Sequence, residues 1–196
     1  MTTSPPATKR RRRGPTDPDR RDRIARAAIA VVAEHGVDGL THRKVAAAAG
    51  VPLGSTTYHF ATLRELTAAA LDKAAERSVA ELRSWERALA PDADLAAALA
   101  DFVMASIRDK RDDAMAEYNL YALALHRPDL RKAAVDWDDA LAEVLQERTD
   151  PLTGQMLGML LCGLVMQAVL RDDAMSKSDV ESLLRRALEG GARPAS

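Results

Sequence analysis

Cysteine is nearly absent from this 196-residue chain: Cys162 is the only one, so no internal disulfide can form. A chain without disulfides fits a reducing compartment, and we expect the protein in the cytoplasm. Aromatic residues make up only 4% of the sequence, and no segment alternates apolar and polar residues over the length of a reliable strand. Alanine and leucine dominate instead, so the composition favours an all-α fold.

Long apolar segments are also missing. The N-terminus lacks the apolar segment of a signal peptide, and we expect none. The longest apolar run, Gln155 to Leu170, has 16 residues and includes two glutamines. A membrane-spanning helix needs about 20 consecutive apolar residues. We therefore expect this run to form a buried helix and expect no membrane partner.

The sequence motifs of several enzyme classes do not occur. There is no GxSxG, no glycine-rich phosphate loop and no pair of histidines at metal-binding spacing. Asp136, Asp139 and Glu143 fall on one helical face and could hold a cation, but a solvated acidic face is the favoured interpretation. We expect a protein that is not an enzyme and has neither a metal site nor a cofactor.

Charge is divided unevenly along the chain. Residues 1–64 carry 12 Lys and Arg against 5 Asp and Glu, whereas residues 65–196 carry 16 against 24. A basic front suggests a polyanionic partner. Five of the positive charges lie in Lys9–Arg13, within a Pro-, Ser- and Thr-rich segment, residues 1–16, that is predicted to be disordered. This basic tail is either a flexible arm that contacts the polyanion or a solubilising segment.

Apolar periodicity and helix caps divide the remaining chain into about nine helices. The first begins near Asp17 or Asp19. A short second helix begins after Thr41, its N-cap, and a long fourth helix begins after Thr62, where "TLRE" is a capping box. Glu65 is the residue that reaches back in that box. The third helix is predicted at about Gly54–Phe60, and the later ones at about Asp94–Arg108, Asp113–His126, Asp129–Arg148, Pro151–Arg171 and Ser178–Glu189.

The second and third helices are joined by a tight turn, which predicts a helix-turn-helix. Ala46–Ala49 supply small residues for close packing, and Gly50 permits a sharp reversal of the chain. Val51 is expected to fill the core between the helices, and Phe60 to anchor the third. The third helix would then present its hydroxyl and aromatic side chains to bases and phosphates.

The stretch LTHRKVAAAAGVPLGSTTYHFATLRELTAAAL (Leu40 to Leu71) resembles the DNA-binding signature of the TetR family of transcriptional regulators. That signature has a threonine-capped second helix ending in Ala-Gly-Val. A recognition helix of the form Gly-Thr-hydrophobic-Tyr-aromatic-His-Phe follows, and then a fourth helix capped by Ser-Lys. The resemblance implies a helix-turn-helix DNA-binding domain at residues 17–62 and a helical ligand-binding and dimerisation domain at residues 63–196.

This chain departs from the signature at two positions that contact phosphate in relatives. Thr57 stands where the first recognition-helix tyrosine is usual, and Leu63 stands where the lysine after the fourth-helix cap is usual. The two contacts are either lost or shifted to Tyr58 and Arg64. The predicted DNA-contacting residues are Thr41, His42, Arg43, Ser55, Thr56, Thr57, Tyr58, His59 and Arg64, of which Thr41 also serves as a cap.

The resemblance further implies a homodimer formed through the last two helices. Met156–Leu170 is apolar on nearly every side, which is more than one packed face of a monomer needs. Gly154 and Gly158 lie one turn apart and would permit close approach of a neighbouring helix. The alternative is that this segment is the central helix of a monomeric core.

A ligand site is expected among the middle helices. From Ala114 to Leu125 only Glu117 and Asn119 are clearly polar, which predicts a buried helix whose polar groups find partners in side chains, water or a ligand. The ligand would be of medium size and mostly apolar or aromatic. The candidate ligand-binding residues, each of which could equally be ordinary core, are Trp85, Phe102, Met104, Met115, Tyr118, Asn119, Tyr121, His126, Trp137, Met159 and Met166.

Together these features predict a ligand-responsive transcriptional regulator. It would repress by occupying a palindromic operator on double-stranded DNA as a homodimer, and a small-molecule inducer would release it. The alternative is an architectural DNA-binding protein that responds to no ligand. The large apolar C-terminal part favours the regulator, because it exceeds what dimerisation alone needs.

Overall fold

The structure, a computed structural model, describes residues 19–171 and 175–191. In these two segments the chain forms nine α-helices and one short 3-10 helix, with no strand, which confirms the predicted all-α fold. The basic tail predicted at residues 1–16 lies outside the described residues. The helices are α1 (Arg20–His35), α2 (His42–Ala48), α3 (Leu53–His59), α4 (Leu63–Ala88), α5 (Leu95–Asp109), α6 (Arg111–Ala122), α7 (Pro128–Gln146), α8 (Pro151–Leu170) and α9 (Lys177–Gly191), and the 3-10 helix Leu123–Leu125 follows α6.

Helices α1, α2 and α3 form the helix-turn-helix head, and local hydrogen bonds fix its turn. The Thr41 hydroxyl caps α2 as predicted, accepting a backbone N–H at 3.2 Å. Gly50 follows α2 with a φ of 62°, a left-handed conformation that favours glycine. The amides of Gly50 and Val51 donate to the carbonyls of Ala47 and Ala46, which completes a Schellman motif. The chain is thereby directed into α3.

Helix α4 begins with the predicted capping box. The Thr62 hydroxyl accepts the N–H of Glu65 at 3.1 Å. The Glu65 carboxylate reaches back to the N–H of Ala61 at 2.8 Å, one residue before the cap itself. α4 then continues for 26 residues and packs against α1, α6 and α7. This one rigid helix runs from the head into the C-terminal helices, and a domain boundary between residues 62 and 63 stays a prediction.

The C-terminal helices pack around α7 and α8. α7 lies beside α4 in the same direction: Arg64 and Asp129 pair where the two helices start, and Glu86 and Arg148 pair where they end. α8 packs on the other side of α7, and α9 lies against α5 and α8. Buried leucines from these helices continue the apolar core of the head without a break.

Two sequence predictions need correction. The predicted helix Asp113–His126 is instead α6 followed by the 3-10 helix, so the α-helix ends at Ala122. Gly154 and Gly158 face α7 of the same chain, where a Cβ on Gly154 would come within 2.5 Å of the Gln146 side chain. The missing side chains therefore allow α7 and α8 to pack closely within one chain, and they do not belong to a dimer face.

Helix α8 is the one described helix that is long and apolar enough, by length and composition, to cross a membrane. One face of it is buried against α5, α6, α7 and α9, as expected for a core helix. The opposite face is apolar and exposed: Leu152, Met159 and Leu170 keep 74%, 67% and 73% of their surface. This second face has no intramolecular partner among the described residues.

Candidate functional sites

The first candidate site is the outer surface of the helix-turn-helix head. Thr41, Arg43, Thr57 and Tyr58 are exposed there, and His42, Ser55 and His59 are half-buried. Tyr58 keeps 84% of its surface and stands edge-on to the His59 ring at 5.2 Å. The structure thus brings seven of the predicted DNA-contacting residues to one region.

Thr56 does not belong to that surface, which corrects the prediction of a DNA contact. Its side chain is fully buried, and its hydroxyl donates to the Leu53 carbonyl at 2.8 Å. Thr56 lies one turn before the buried Phe60, which places it on the inner face of α3. This spacing of four residues can be read from the sequence. The Phe60 ring in turn packs under the Arg21 guanidinium at 4.8 Å.

Arg64 is exposed, but its guanidinium is engaged within the chain. Its Nε donates to Asp129 at 2.9 Å, and a second nitrogen donates to the other carboxylate oxygen, so the contact is bidentate. Arg127 donates to both the Asp129 carboxylate and the Arg64 carbonyl. The start of α4 is thereby fastened to the start of α7. The prediction that Arg64 contacts DNA is not met by this arrangement, in which the side chain connects two helices.

The second candidate site is an open cavity of about 530 Å³ lined by residues of α4, α5, α6, α7 and α8. Its volume lies within the usual range for small-molecule sites. Six of the predicted ligand-binding residues line it. They are Phe102, Tyr118, Tyr121, Trp137, Met159 and Met166.

The other five predicted ligand-binding residues do not line this cavity. Met115, Asn119 and His126 point outward and are exposed. Trp85 and Met104 are half-buried and pack on the core, Trp85 against the Phe102 ring at 5.4 Å. The prediction failed for these five because the sequence does not show which side of a helix faces the cavity when two sides are apolar.

Charged residues also line the cavity, and the sequence analysis had singled out only Glu117 and Asp139 among them. Five carboxylates and only two cations reach it. One cation, Lys110, pairs with Glu81 at 2.7 Å. The other, Arg77, pairs with Glu117 at 2.8 Å and with Asp113 at 3.2 Å. Arg77 lies seven residues after Ala70 and three after Ala74, both of which are buried, so it falls on the buried side of α4. A charged residue on a buried helix face is the sequence feature that could have identified Arg77 as a cavity residue.

Two tyrosines present their rings to the cavity while their hydroxyls are held. Tyr118 donates to the Cys162 carbonyl at 2.9 Å, and Tyr121 donates to the Asp138 carboxylate at 2.6 Å. Burial raises the pKa of Tyr118, and burial also raises the pKa of the Cys162 thiol to about 11. The Tyr121 ring stands edge-on to Trp137 at 5.8 Å, and the Trp137 indole N–H has no partner among the described residues. The cavity is therefore aromatic in its walls and acidic in its charge.

Two family models match the chain. Residues 24–70 match bacterial regulatory proteins of the tetR family, and residues 90–190 match the tetracyclin repressor-like C-terminal domain. The chain belongs to the TetR family. As a TetR-family protein it is a DNA-binding transcriptional regulator with a helical ligand-binding domain behind the head. A search among curated proteins gives no match.

Solved structures related to this TetR-family chain cover nearly its whole length. The multidrug binding protein EbrR complexed with imidazole is 42% identical, covers 92% of this chain and 99% of its own, and has a TM-score of 0.77. EbrR complexed with ethidium is 41% identical, with 86% and 98% covered and a TM-score of 0.74. A TetR-family member from Streptomyces coelicolor A3 is 43% identical, with 87% and 99% covered and a TM-score of 0.75. EbrR has also been solved with proflavin and with malachite green.

Proposed function

We propose that this protein is a repressor that binds a palindromic operator as a homodimer and is released by a small, mostly apolar aromatic ligand that carries a positive charge. The observation that carries the proposal is the aromatic, acidic cavity, which borders the same helix, α4, that starts at the DNA-binding head. A ligand in the cavity acts on that helix directly.

The DNA contacts are assigned to the exposed surface of the head. Arg43 and Tyr58 are positioned for phosphates, because both are exposed and long. Thr57 is exposed on α3, where a hydroxyl or methyl can meet a base edge. The proposed contact residues are Thr41, His42, Arg43, Ser55, Thr57, Tyr58 and His59.

The homodimer is assigned to the exposed apolar face of α8 together with α9. Leu152, Met159 and Leu170 form that face on α8, and Leu183 adds to it from α9. An exposed apolar face of this kind marks a protein–protein interaction site. Two heads held by one rigid interface can occupy two half-sites one or more helical turns apart, which accounts for a palindromic operator.

The chemistry of the ligand follows from the cavity walls. Aromatic rings of Phe102, Tyr118, Tyr121 and Trp137 offer flat apolar surfaces, and the excess of carboxylates over cations favours a cationic guest. EbrR, a similar protein, has been solved with ethidium, proflavin and malachite green, which are cationic aromatic dyes. We take such dyes as probes of this cavity, and the natural inducer as a molecule of the same class.

Release requires that the ligand favour the state that cannot bind DNA. α4 connects the cavity to the head, and the contact of Arg64 and Arg127 with Asp129 makes the start of α4 move with the start of α7. A ligand that separates α4 from its neighbours changes the angle of the head. Two heads on a dimer then lose the spacing of the operator.

A footprint of the protein on the DNA upstream of its own gene tests the proposal. We expect protection of an inverted repeat, and we expect protection to weaken when a cationic dye is added. If no promoter-proximal inverted repeat is protected, the proposed repressor function is wrong. Sedimentation of the wild type and of Leu152→Glu, which lies outside the cavity, tests the dimer: the charged variant should be monomeric and should lose the footprint.

The alternative is an architectural DNA-binding protein that responds to no ligand. The open cavity speaks against it, and a thermal shift assay with small apolar and cationic compounds separates the two. A ligand at 100 times its Kd stabilises the protein by about 2.7 kcal/mol. No shift with any member of such a library, together with intact DNA binding, would favour the alternative.

A further inference from the structure

Arg77 and Glu117 form an ion pair in the wall of the ligand cavity. Arg77 belongs to α4 and Glu117 to α6, and the two side chains meet at 2.8 Å on the wall of the cavity. Glu117 keeps only 16% of its side-chain surface. Burial raises the pKa of Glu117, although the Arg77 guanidinium acts in the opposite direction. A carboxylate so placed needs a cation beside it to stay charged.

We propose that Arg77 is the resident counter-ion of a cation subsite at Glu117, and that a cationic aromatic ligand replaces its guanidinium there. This inference rests on the proposed function, since it names how the cavity senses its ligand. Exchange of one cation for another leaves Glu117 paired throughout. The buried carboxylate is therefore never left without a partner, which is the costly alternative.

A displaced guanidinium has a place to go. A second cavity of about 480 Å³ lies between α1, α4 and α6, and Arg77 and Asp113 line both cavities. Arg77 already forms an ion pair with Asp113, at 3.2 Å from its other terminal nitrogen. It can leave Glu117 and turn toward the second cavity while it keeps Asp113 as its partner.

A shift of the Arg77 guanidinium into the second cavity affects the contact between α4 and the helix-turn-helix head. That cavity is also lined by Asp22 and Arg26 of α1 and by Lys73 of α4. Lys73 pairs with Asp22 at 2.9 Å, which ties α4 to the first helix of the head. A further positive charge beside Lys73 and Arg26 competes for Asp22 and weakens that tie. The exchange at Glu117 thus converts a binding event in the cavity into a change between α1 and α4.

Ethidium binding to the full-length protein, measured by fluorescence without DNA, tests the exchange. Glu117→Gln keeps the shape and removes the anion, so ethidium affinity should fall by about tenfold or more. Arg77→Gln removes the resident competitor, so ethidium affinity should not fall. Asp112→Asn, which changes an exposed carboxylate of α6 outside the cavity, is the matched control and should alter the affinity by less than about twofold.

An uncharged probe separates the charge from the shape of the cavity. The compound 3,8-diamino-6-phenylphenanthridine is the ring system of ethidium without its N-ethyl group, and it is therefore without a permanent charge. All three variants should bind it as the wild type does, which also shows that the cavity is intact. If Glu117→Gln does not fold, Glu117→Asp replaces it and should lower the affinity for ethidium more than the affinity for the uncharged probe.

The two variants should have different effects on DNA binding. Glu117→Gln frees the Arg77 guanidinium, so it should bind the operator more weakly than the wild type when no dye is present. Arg77→Gln has no guanidinium to move, so it should bind the operator as the wild type does without dye and should be released less by ethidium. The inference is overturned if Arg77→Gln lowers ethidium affinity as much as Glu117→Gln does, or if Glu117→Gln binds ethidium unchanged. In either case a wild type that still releases its operator with a cationic dye leaves the proposed function standing. Failure of the wild type to release it contradicts the proposed function instead.

Discussion

The helix-turn-helix head and the cavity use polar residues in opposite ways. The head carries its polar side chains outward, with Tyr58 at 84% exposure and the nearby core closed by Phe60. The cavity carries charge inward, where Arg77 and Glu117 satisfy one another between two helices. An outward residue is free to meet a partner and contributes little to stability. An inward pair contributes to the fold and must be exchanged before a partner can enter, so a ligand that enters has structural consequences.

Two aromatic neighbours on the head give the sharpest form of this contrast. Phe60→Ala should lower the free energy of unfolding by about 3–5 kcal/mol, because a fully buried ring is lost. Tyr58→Ala should leave it within about 0.5 kcal/mol, because the ring is exposed. Urea denaturation measures both. Although Tyr58→Ala should keep its stability, its affinity for the operator, measured on the same samples, should fall. An unchanged affinity would show that Tyr58 does not contact DNA.

Two adjacent threonines, one exposed and one buried, give the same comparison with smaller expected free-energy changes. Thr57→Ala should weaken operator binding by about 1–3 kcal/mol if the side chain meets a base, with little change in stability. Thr56→Val loses a buried hydrogen bond to the Leu53 carbonyl, so it should cost about 1 kcal/mol of stability. Its operator affinity should be that of the wild type in conditions where both are folded. A base-specific loss of affinity for Thr56→Val would show that the contrast between inward and outward residues is wrong.

The contact between the starts of α4 and α7 predicts a pH dependence. The Arg64 guanidinium, with help from Arg127, holds the pKa of Asp129 well below its usual range. The stabilisation is therefore fully present above the ordinary carboxyl pKa of about 4, and it is lost as the pH falls toward the lower native value. Below pH 4 the free energy of unfolding should fall more steeply for the wild type than for Asp129→Asn. Asp136→Asn, on the same helix, is the control and should follow the wild type; parallel curves for all three proteins would refute the role of Asp129.

The smallest expected effect concerns Cys162, which lines the cavity. Since burial raises its pKa to about 11, the thiol should react slowly with iodoacetamide at neutral pH and faster as the pH rises toward that value. A bound dye should slow the reaction further, because it covers the cavity wall. Mass spectrometry of the alkylated protein measures both rates. Rapid alkylation at neutral pH, unaffected by the dye, would place Cys162 outside the ligand-binding region.

The sequence predicted best those features whose partners are close along the chain. Thr41, Gly50 and Thr62 act through hydrogen bonds that span three to five residues, so their roles follow from local spacing. The cavity depends on residues that only the tertiary fold brings together: Arg77 and Glu117 are 40 positions apart. The five predicted ligand-binding residues that do not line the cavity, and Gly154, which faces α7, share one cause: the sequence does not show which face of a helix meets which neighbour. Hydrophobic periodicity defines a buried stripe but does not say what covers it.

The most direct test of the account is the effect of a cationic dye on operator binding. Malachite green is the suitable dye, because its twisted rings stack poorly between base pairs, and mildly acidic buffer keeps it cationic. Fluorescence anisotropy of a labelled operator duplex, titrated with the wild type with and without saturating dye, gives the two affinities. We predict that bound dye weakens operator binding by about tenfold or more. Equal affinities, with the dye shown to be bound in the cavity, would contradict ligand-released repression.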